Sequence, residues 1–203
     1  MSTDPRVHRL RIAEMNVPAW MRGLRLSSPS LPQGEPLYQA RIWVDEFRDH
    51  YVTSRRELND YPDDPFCVGR GLFFAGLPGV GKTMLAVATI IEVYYTWPKI
   101  YPYFITMADL IEARLHYSDD PDAAGTMECV TQSPVLVLDD VGKEHSSKSG
   151  WSATVLDQVL RYRHNEGRPT IITTNLALPK WAGYNESMES FIARSTDTYV
   201  VTS

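Results

Sequence analysis

Residues 71–95 read "GLFFAGLPGVGKTMLAVATIIEVYY". Inside that stretch, Gly76, Leu77, Pro78, Gly79, Val80, Gly81, Lys82 and Thr83 fit the pattern G-x-x-x-x-G-K-[ST] at every position. The flanks agree: residues 72–75 predict a buried strand running in, and residues 82–95 predict an apolar helix running out. Glycines let such a loop curl until successive backbone N–H groups face one phosphate at the positive end of the helix. Lys82 then reaches the β and γ oxygens, and the Thr83 hydroxyl faces a Mg2+ ion. A random chain of this length matches the pattern with a probability of about one per cent, which sets aside an accidental glycine-rich turn. The residues expected at the nucleotide are Gly76, Pro78, Gly79, Val80, Gly81, Lys82, Thr83 and Met84. Adenine is expected near Val17, Pro18 and Met21.

Downstream, "SPVLVLDDVG" separates the reaction classes that share such a loop. Residues 135–138 are apolar on both faces and predict a central parallel strand that ends in Asp139 and Asp140. Carboxylates at the C-terminal end of a strand lie beside the phosphate loop in this architecture. Asp139 is expected to hold Mg2+ through water. Asp140 is placed to polarise an attacking water, a group that a kinase passing phosphate to a metabolite does not need. The competing reading makes Asp140 a turn or cap residue. A helix follows over "WSATVLDQVLRYRHN" and stops at Gly167, and "RPTIITTNL" predicts a further buried strand ending in Asn175. If that strand lies between the other two, Asn175 faces the γ-phosphate and the lytic water; otherwise it only ends a strand.

From residue 68 onward strands and helices alternate, the signature of a parallel sheet covered on both faces. Before it, residues 1–34 read as a basic, loop-rich leader and residues 35–203 as the core, opening with a helix over about 37–58 whose Ile42, Trp43, Phe47 and Tyr51 fall at helical spacing. The leader's Arg6, Arg9, Arg11, Arg22 and Arg25 suit either a contact arm or a solvated terminus. The chain of 203 residues is 43% hydrophobic and 22% charged, the composition of one globular domain. No apolar run is long enough for a membrane span or a signal peptide, and two distant cysteines exclude a disulfide framework. A cytoplasmic protein is expected. The net charge of −5 argues against a strong nucleic-acid binder acting alone, but not against a groove shared among subunits.

With these residues in hand, the chain resembles an AAA+ ATPase, and more narrowly the DnaC/DnaI-type loaders of the bacterial replicative helicase and their IstB-type transposition relatives. The resemblance is carried by "GLFFAGLPGVGKTMLA", "ITMADLIEARL", "PVLVLDDVGKE", "VLRYRHNEGRPTIITTNL" and "FIARSTDTYVV", with "RIAEMNVPAW" as a weaker match ahead of them. It implies a five-stranded parallel sheet of order 5-1-4-3-2, with strands near 199–202, 72–75, 170–174, 135–138 and 103–106, and no C-terminal helical lid. It also implies that Arg194, in "ARSTD", is a finger given to the γ-phosphate of a neighbouring subunit, where a guanidinium fork stabilises growing charge. Arg163 stands open between a second cation for that junction and a solvated helix residue.

Two functions of different class follow from the resemblance. One is an ATP-hydrolysing, Mg2+-dependent replication factor that assembles head-to-tail, in an ATP-dependent way, and loads or remodels a replicative helicase on single-stranded DNA. The other is a nucleotide-gated assembly module of the transposition-helper type, favoured by the absence of a separate helicase-grasping domain. DNA contacts are expected from Lys143, Ser146, Ser147 and Lys148 and from the start of "MADLIEARL". A metabolite kinase is disfavoured by Asp140, Asn175 and the lack of a substrate-binding insert.

Overall fold

Five short segments with apolar or β-branched residues line up in one parallel sheet: β1 (Gly71–Ala75), β2 (Tyr103–Thr106), β3 (Leu136–Val141), β4 (Thr170–Thr174) and β5 (Thr196–Val200). The computed structural model describes residues 11–51, 68–97, 99–142, 150–175 and 186–202. The strand order is β2-β3-β4-β1-β5 and every pairing is parallel, the expected order read from the opposite edge. Parallel neighbours need crossovers. Here they are α3 (Lys82–Thr96), α4 (Met107–His116), α5 (Pro121–Gln132), α6 (Trp151–Asn165) and α7 (Glu186–Ser195), while α1 (Glu35–Asp45) and the short α2 (Phe47–His50) precede the sheet.

Alternation along the strands divides the core in two. Leu72, Phe74, Val137 and Ile171 face α3 and α1, where Leu85, Ile90, Ala40 and Trp43 meet them. Phe73, Leu138 and Ile172 face α4, α6 and α7, against Leu110, Leu156 and Ile192. All five residues of β1 and of β4 are buried, because both strands are central and covered on both sides. Each large apolar side chain so buried contributes about 1.5–3 kcal/mol, which makes the middle of the sheet its firmest part.

The leader belongs to the first of these layers. Ile12, Met15, Val17, Met21, Leu26 and Leu31 are buried in the same cluster as α3 and α1. Its backbone runs beside the edge strand, with Phe104 N donating to Met15 O at 2.8 Å and Asn16 Nδ2 donating to Phe104 O at 3.0 Å. Among the described leader arginines, Arg25 and Arg11 fasten the leader to the core and Arg22 braces the leader itself. Arg25 pairs with Glu92 of α3 through two bonds of 3.0 and 2.5 Å and lies over the Tyr95 ring at 4.1 Å. Arg22 donates to Val17 O, and Arg11 bonds the Tyr101 hydroxyl and lies over its ring. The Arg25 hydrogen bond holds the Glu92 carboxyl below its usual range against the opposing effect of burial.

Three boundaries differ from expectation. The first helix is broken at Glu46 (φ −92°, ψ 12°) into α1 and α2, although the aromatic spacing persists across the break: Trp43 meets Phe47 edge-on at 5.3 Å and stacks with His50 at 5.5 Å. Its expected continuation beyond Tyr51 lies outside the described residues. Strand β3 continues through the acid pair to Val141. Strand β5 starts three residues early, directly after α7, because the Thr196 hydroxyl donates to the Ile192 carbonyl at 2.8 Å and ends the helix without a turn.

Candidate nucleotide site

Since β4 lies between β3 and β1, the C-terminal ends of these three strands are neighbours, and the groups they carry meet there. Strand β1 leads into the phosphate loop. A Cβ on Gly76 would stand 2.3 Å from the Val201 carbonyl oxygen, so only glycine fits that turn. Gly81 caps α3 at φ 91°, a left-handed conformation that a side chain disfavours. Pro78 and Gly79 are exposed on the outer curve of the loop, whereas Val80 and Met84 pack partly against the core. Lys82 is buried and bends back across the loop, its Nζ donating to Gly76 O at 3.0 Å and Leu77 O at 2.7 Å.

Opposite the loop, Thr83 Oγ1 donates to Asp139 Oδ1 at 2.8 Å, and Thr173 Oγ1 donates to the same oxygen at 2.5 Å. Asp140 follows in a left-handed backbone conformation (φ 62°). Its N–H donates to Thr173 Oγ1 at 2.9 Å, and its carboxylate accepts from Asn175 Nδ2 at 3.1 Å. The structure therefore brings together Lys82, Thr83, Asp139, Asp140 and Asn175 from the ends of β3 and β4 and the start of α3. Thr173 is the residue that sequence reasoning missed. Its signal was a polar side chain inside a wholly buried strand, which must find a partner.

The donor set suits a small hard cation. Thr83 and Asp139 offer oxygen ligands beside the loop, and among the described residues no group of three or more His, Cys, Asp or Glu converges elsewhere. Mg2+ takes one or two such oxygens, retains water and completes its shell with phosphate oxygens, so these residues can hold it with a nucleotide.

Arg194 stands apart. It is exposed in the last turn of α7, with Nε donating to Ser190 O at 3.3 Å. The β1–β5 register pairs Gly71 with Thr196 and Ala75 with Val200, which puts Arg194 at the N-terminal end of the strands. About 13 Å of strand separates that end from its own phosphate loop. The backbone beneath it is fixed by Arg70, which donates to the Arg194 carbonyl at 3.3 Å and to Asp197 Oδ1 at 2.9 and 2.6 Å.

Two other expectations are corrected. Arg163 is neither solvated nor at a junction: it is fully buried and donates to the carbonyls of Val130, Ser133 and Pro169 and to the Thr170 hydroxyl, at 2.7–3.0 Å. Burial pushes its guanidinium down to about 9, still protonated at neutrality, so it serves as a clasp between the end of α5 and the start of β4. Val17 and Met21 are core residues and offer no face to adenine; the leader residue against the loop is Pro32, whose Cδ lies 3.0 Å from a Cβ built on Gly81. Of the expected DNA contacts, Lys143, Ser146, Ser147 and Lys148 lie outside the described residues. At the start of α4, Met107 is buried and the exposed residues are Ala108 and Asp109.

Comparison with known proteins agrees with this geometry. The sequence model of the IstB-like ATP binding protein family matches residues 69–189. The replicative helicase loader DnaI of Bacillus subtilis is 32% identical over 111 residues, 54% of this chain and 34% of that protein. An ATP-binding protein of insertion sequence IS5376 from Geobacillus stearothermophilus is 30% identical over 110 residues, 54% of this chain and 42% of that protein. The chain thus spans well under two thirds of the length of these relatives. The crystal structure of the DnaC helicase loader superposes with a TM-score of 0.71 at 30% identity, covering 91% of this chain and 100% of that one. Among the described residues no helix is long and apolar enough to cross a membrane. A phosphate loop, an acid pair and a strand-end asparagine gathered on a 5-1-4-3-2 sheet, matched over more than half the chain, place this protein in the IstB-like ATP-binding family of AAA+ P-loop proteins.

Proposed function

We propose that this chain is an ATPase that assembles head-to-tail on single-stranded DNA and loads or remodels a replicative helicase in the bacterial or phage-infected cytoplasm. The observation that carries the reading is the division of polar groups between the two ends of the sheet. Lys82, Thr83, Asp139, Asp140 and Asn175 stand at one end, and the exposed Arg194 stands at the other. A site whose cation lies a strand length from its own loop is completed by the next copy, and repetition of that contact produces a ring or an open helix.

In this reading, Lys82 turns from the loop carbonyls to the β and γ oxygens, and Thr83 and Asp139 hold Mg2+. The ion, when bound, neutralises charge on the bridging phosphates. Asp140 accepts a proton from the attacking water, and Asn175, already bonded to Asp140, fixes that carboxylate and the water beside it. Arg194 of the adjoining copy stabilises charge on the γ-phosphoryl oxygens. The helicase-loading role is supported by the likeness to the DnaI and DnaC loaders.

The test is complementation. Arg194→Ala and Asp140→Asn proteins are each inactive, and their mixture regains turnover because some junctions join an intact acid to an intact finger. A mixture as inactive as its parents refutes the shared site. A second reading, a nucleotide-gated transposition helper, is favoured by the family match and by the insertion-sequence relative. Gel filtration with a hexameric replicative helicase and, separately, with a transposase decides between them: co-elution with the helicase supports the loader, and co-elution with the transposase alone supports the helper.

A further inference from the structure

We propose that the Thr173 hydroxyl is the positioning group for both acids of the site, filling a gap in β3 and holding the Asp139 carboxylate and the Asp140 peptide in one arrangement. The inference rests on the ATPase reading above and deepens it.

The register carries the argument. Leu138 pairs with Ile172 and Val141 with Thr174, so two residues of β3, Asp139 and Asp140, face the single residue Thr173 of β4. A bulge of this kind interrupts the β3–β4 ladder and re-aims side chains. Asp140 takes up the extra length at φ 62°, a conformation uncommon for a residue with a side chain. Its N–H then needs an acceptor at a place where strand pairing no longer supplies one.

Thr173 supplies it, and does so without remainder. A hydroxyl has one proton to give and lone pairs to accept with. The proton goes to Asp139 Oδ1 and a lone pair takes the Asp140 N–H. With 1% exposure, water does not substitute. The Asp139 oxygen that Thr173 holds is also the one bonded by Thr83, so hydroxyls from β4 and from the phosphate-loop helix converge on one carboxylate oxygen. The last residue of β4 and the one after it continue the series. The Thr174 hydroxyl donates to Val141 O at 2.7 Å beyond the bulge, and Asn175 donates to the Asp140 carboxylate. Three consecutive polar side chains at the end of β4 and just beyond it thereby hold three consecutive residues of β3.

The experiment titrates a fluorescent ATP analogue with Mg2+ and without it, alongside ATP turnover, for wild type, Thr173→Val and Thr173→Ser. Valine keeps the shape and removes the hydroxyl; serine keeps the hydroxyl. Thr173→Val should need about tenfold more Mg2+ to reach half effect and should lose turnover by a similar factor. Its metal-free nucleotide affinity should be unchanged, and Thr173→Ser should restore both losses. If the valine protein does not fold, Thr173→Ala replaces it with the same expectation. A hydroxyl-free variant with the Mg2+ dependence of wild type overturns the proposal, as does a serine variant as impaired as the valine one. A wild-type protein whose nucleotide binding ignores Mg2+ and which never turns over ATP overturns the ATPase reading itself, and this inference with it.

Discussion

The two ends of the sheet use their polar groups in opposite ways. At the C-terminal end, Lys82, Thr83, Asp139, Asp140, Thr173 and Asn175 hydrogen-bond one another or the backbone around them. At the N-terminal end, Arg194 lies exposed on a backbone that Arg70 holds still. Arg163, in the last turn of α6, shows the third possibility, with its donors consumed by carbonyls of its own core. A cation saturated by its own chain belongs to the fold, whereas Arg194 spends a single side-chain donor on the Ser190 carbonyl and keeps the rest of its guanidinium exposed, as the proposed role across a subunit boundary requires.

The contrast breaks most visibly, or stands, on Arg194→Ala. Turnover by the assembled protein should fall by about 10³–10⁵ while melting temperature and ATP affinity stay constant. Phosphate release and thermal melting measure this, and a large loss of stability would make Arg194 a fold residue after all. Asp140→Asn should lower turnover by about 10²–10⁴, with ATP still bound after gel filtration. Arg163→Leu should show the reverse pattern. It leaves the carbonyls of Val130, Ser133 and Pro169 short of donors, at a cost of about 1–3 kcal/mol in urea unfolding. Turnover per folded molecule should be unchanged.

The smallest effect concerns the leader. Arg25 and Glu92 are partly exposed, so Glu92→Gln should cost less than about 1 kcal/mol. The sign with pH is fixed by the lowered Glu92 carboxyl: its contribution is present above the unfolded-state value of about 4.3 and disappears as pH falls through the folded value. Urea titrations at neutral and strongly acid pH should show the two proteins differing in the first and converging in the second.

What could be read from the chain follows its range of interaction. The phosphate loop is a local structure, written in consecutive glycines and flanked by two unmistakable periodicities, and every one of its expected residues stands around one turn. The strand over 170–174 was bounded by the same local chemistry, whereas that over 103–106 came from the family resemblance. The acid pair was legible as chemistry but not as geometry, because a bulge is a property of two strands in register and β4 lies about 30 residues away. Arg163 was illegible for a similar reason: what buries it is the end of α5 and the start of β4, neither of which is visible from α6. Two of the three expected adenine contacts, Val17 and Met21, are taken up by the core's demand for apolar side chains, while Pro18 stays half-buried.

Strand β1 joins the anchor under Arg194 to the phosphate loop. Arg70, immediately before it, grips the carbonyl under Arg194, and Gly76, immediately after it, opens the phosphate loop. The five residues between are buried without exception and paired on both sides, so the strand behaves as a stiff rod rather than a hinge. Under the proposed head-to-tail assembly, a displacement at one ATP would be carried along that rod to the arginine facing the next subunit, with no change of fold in between.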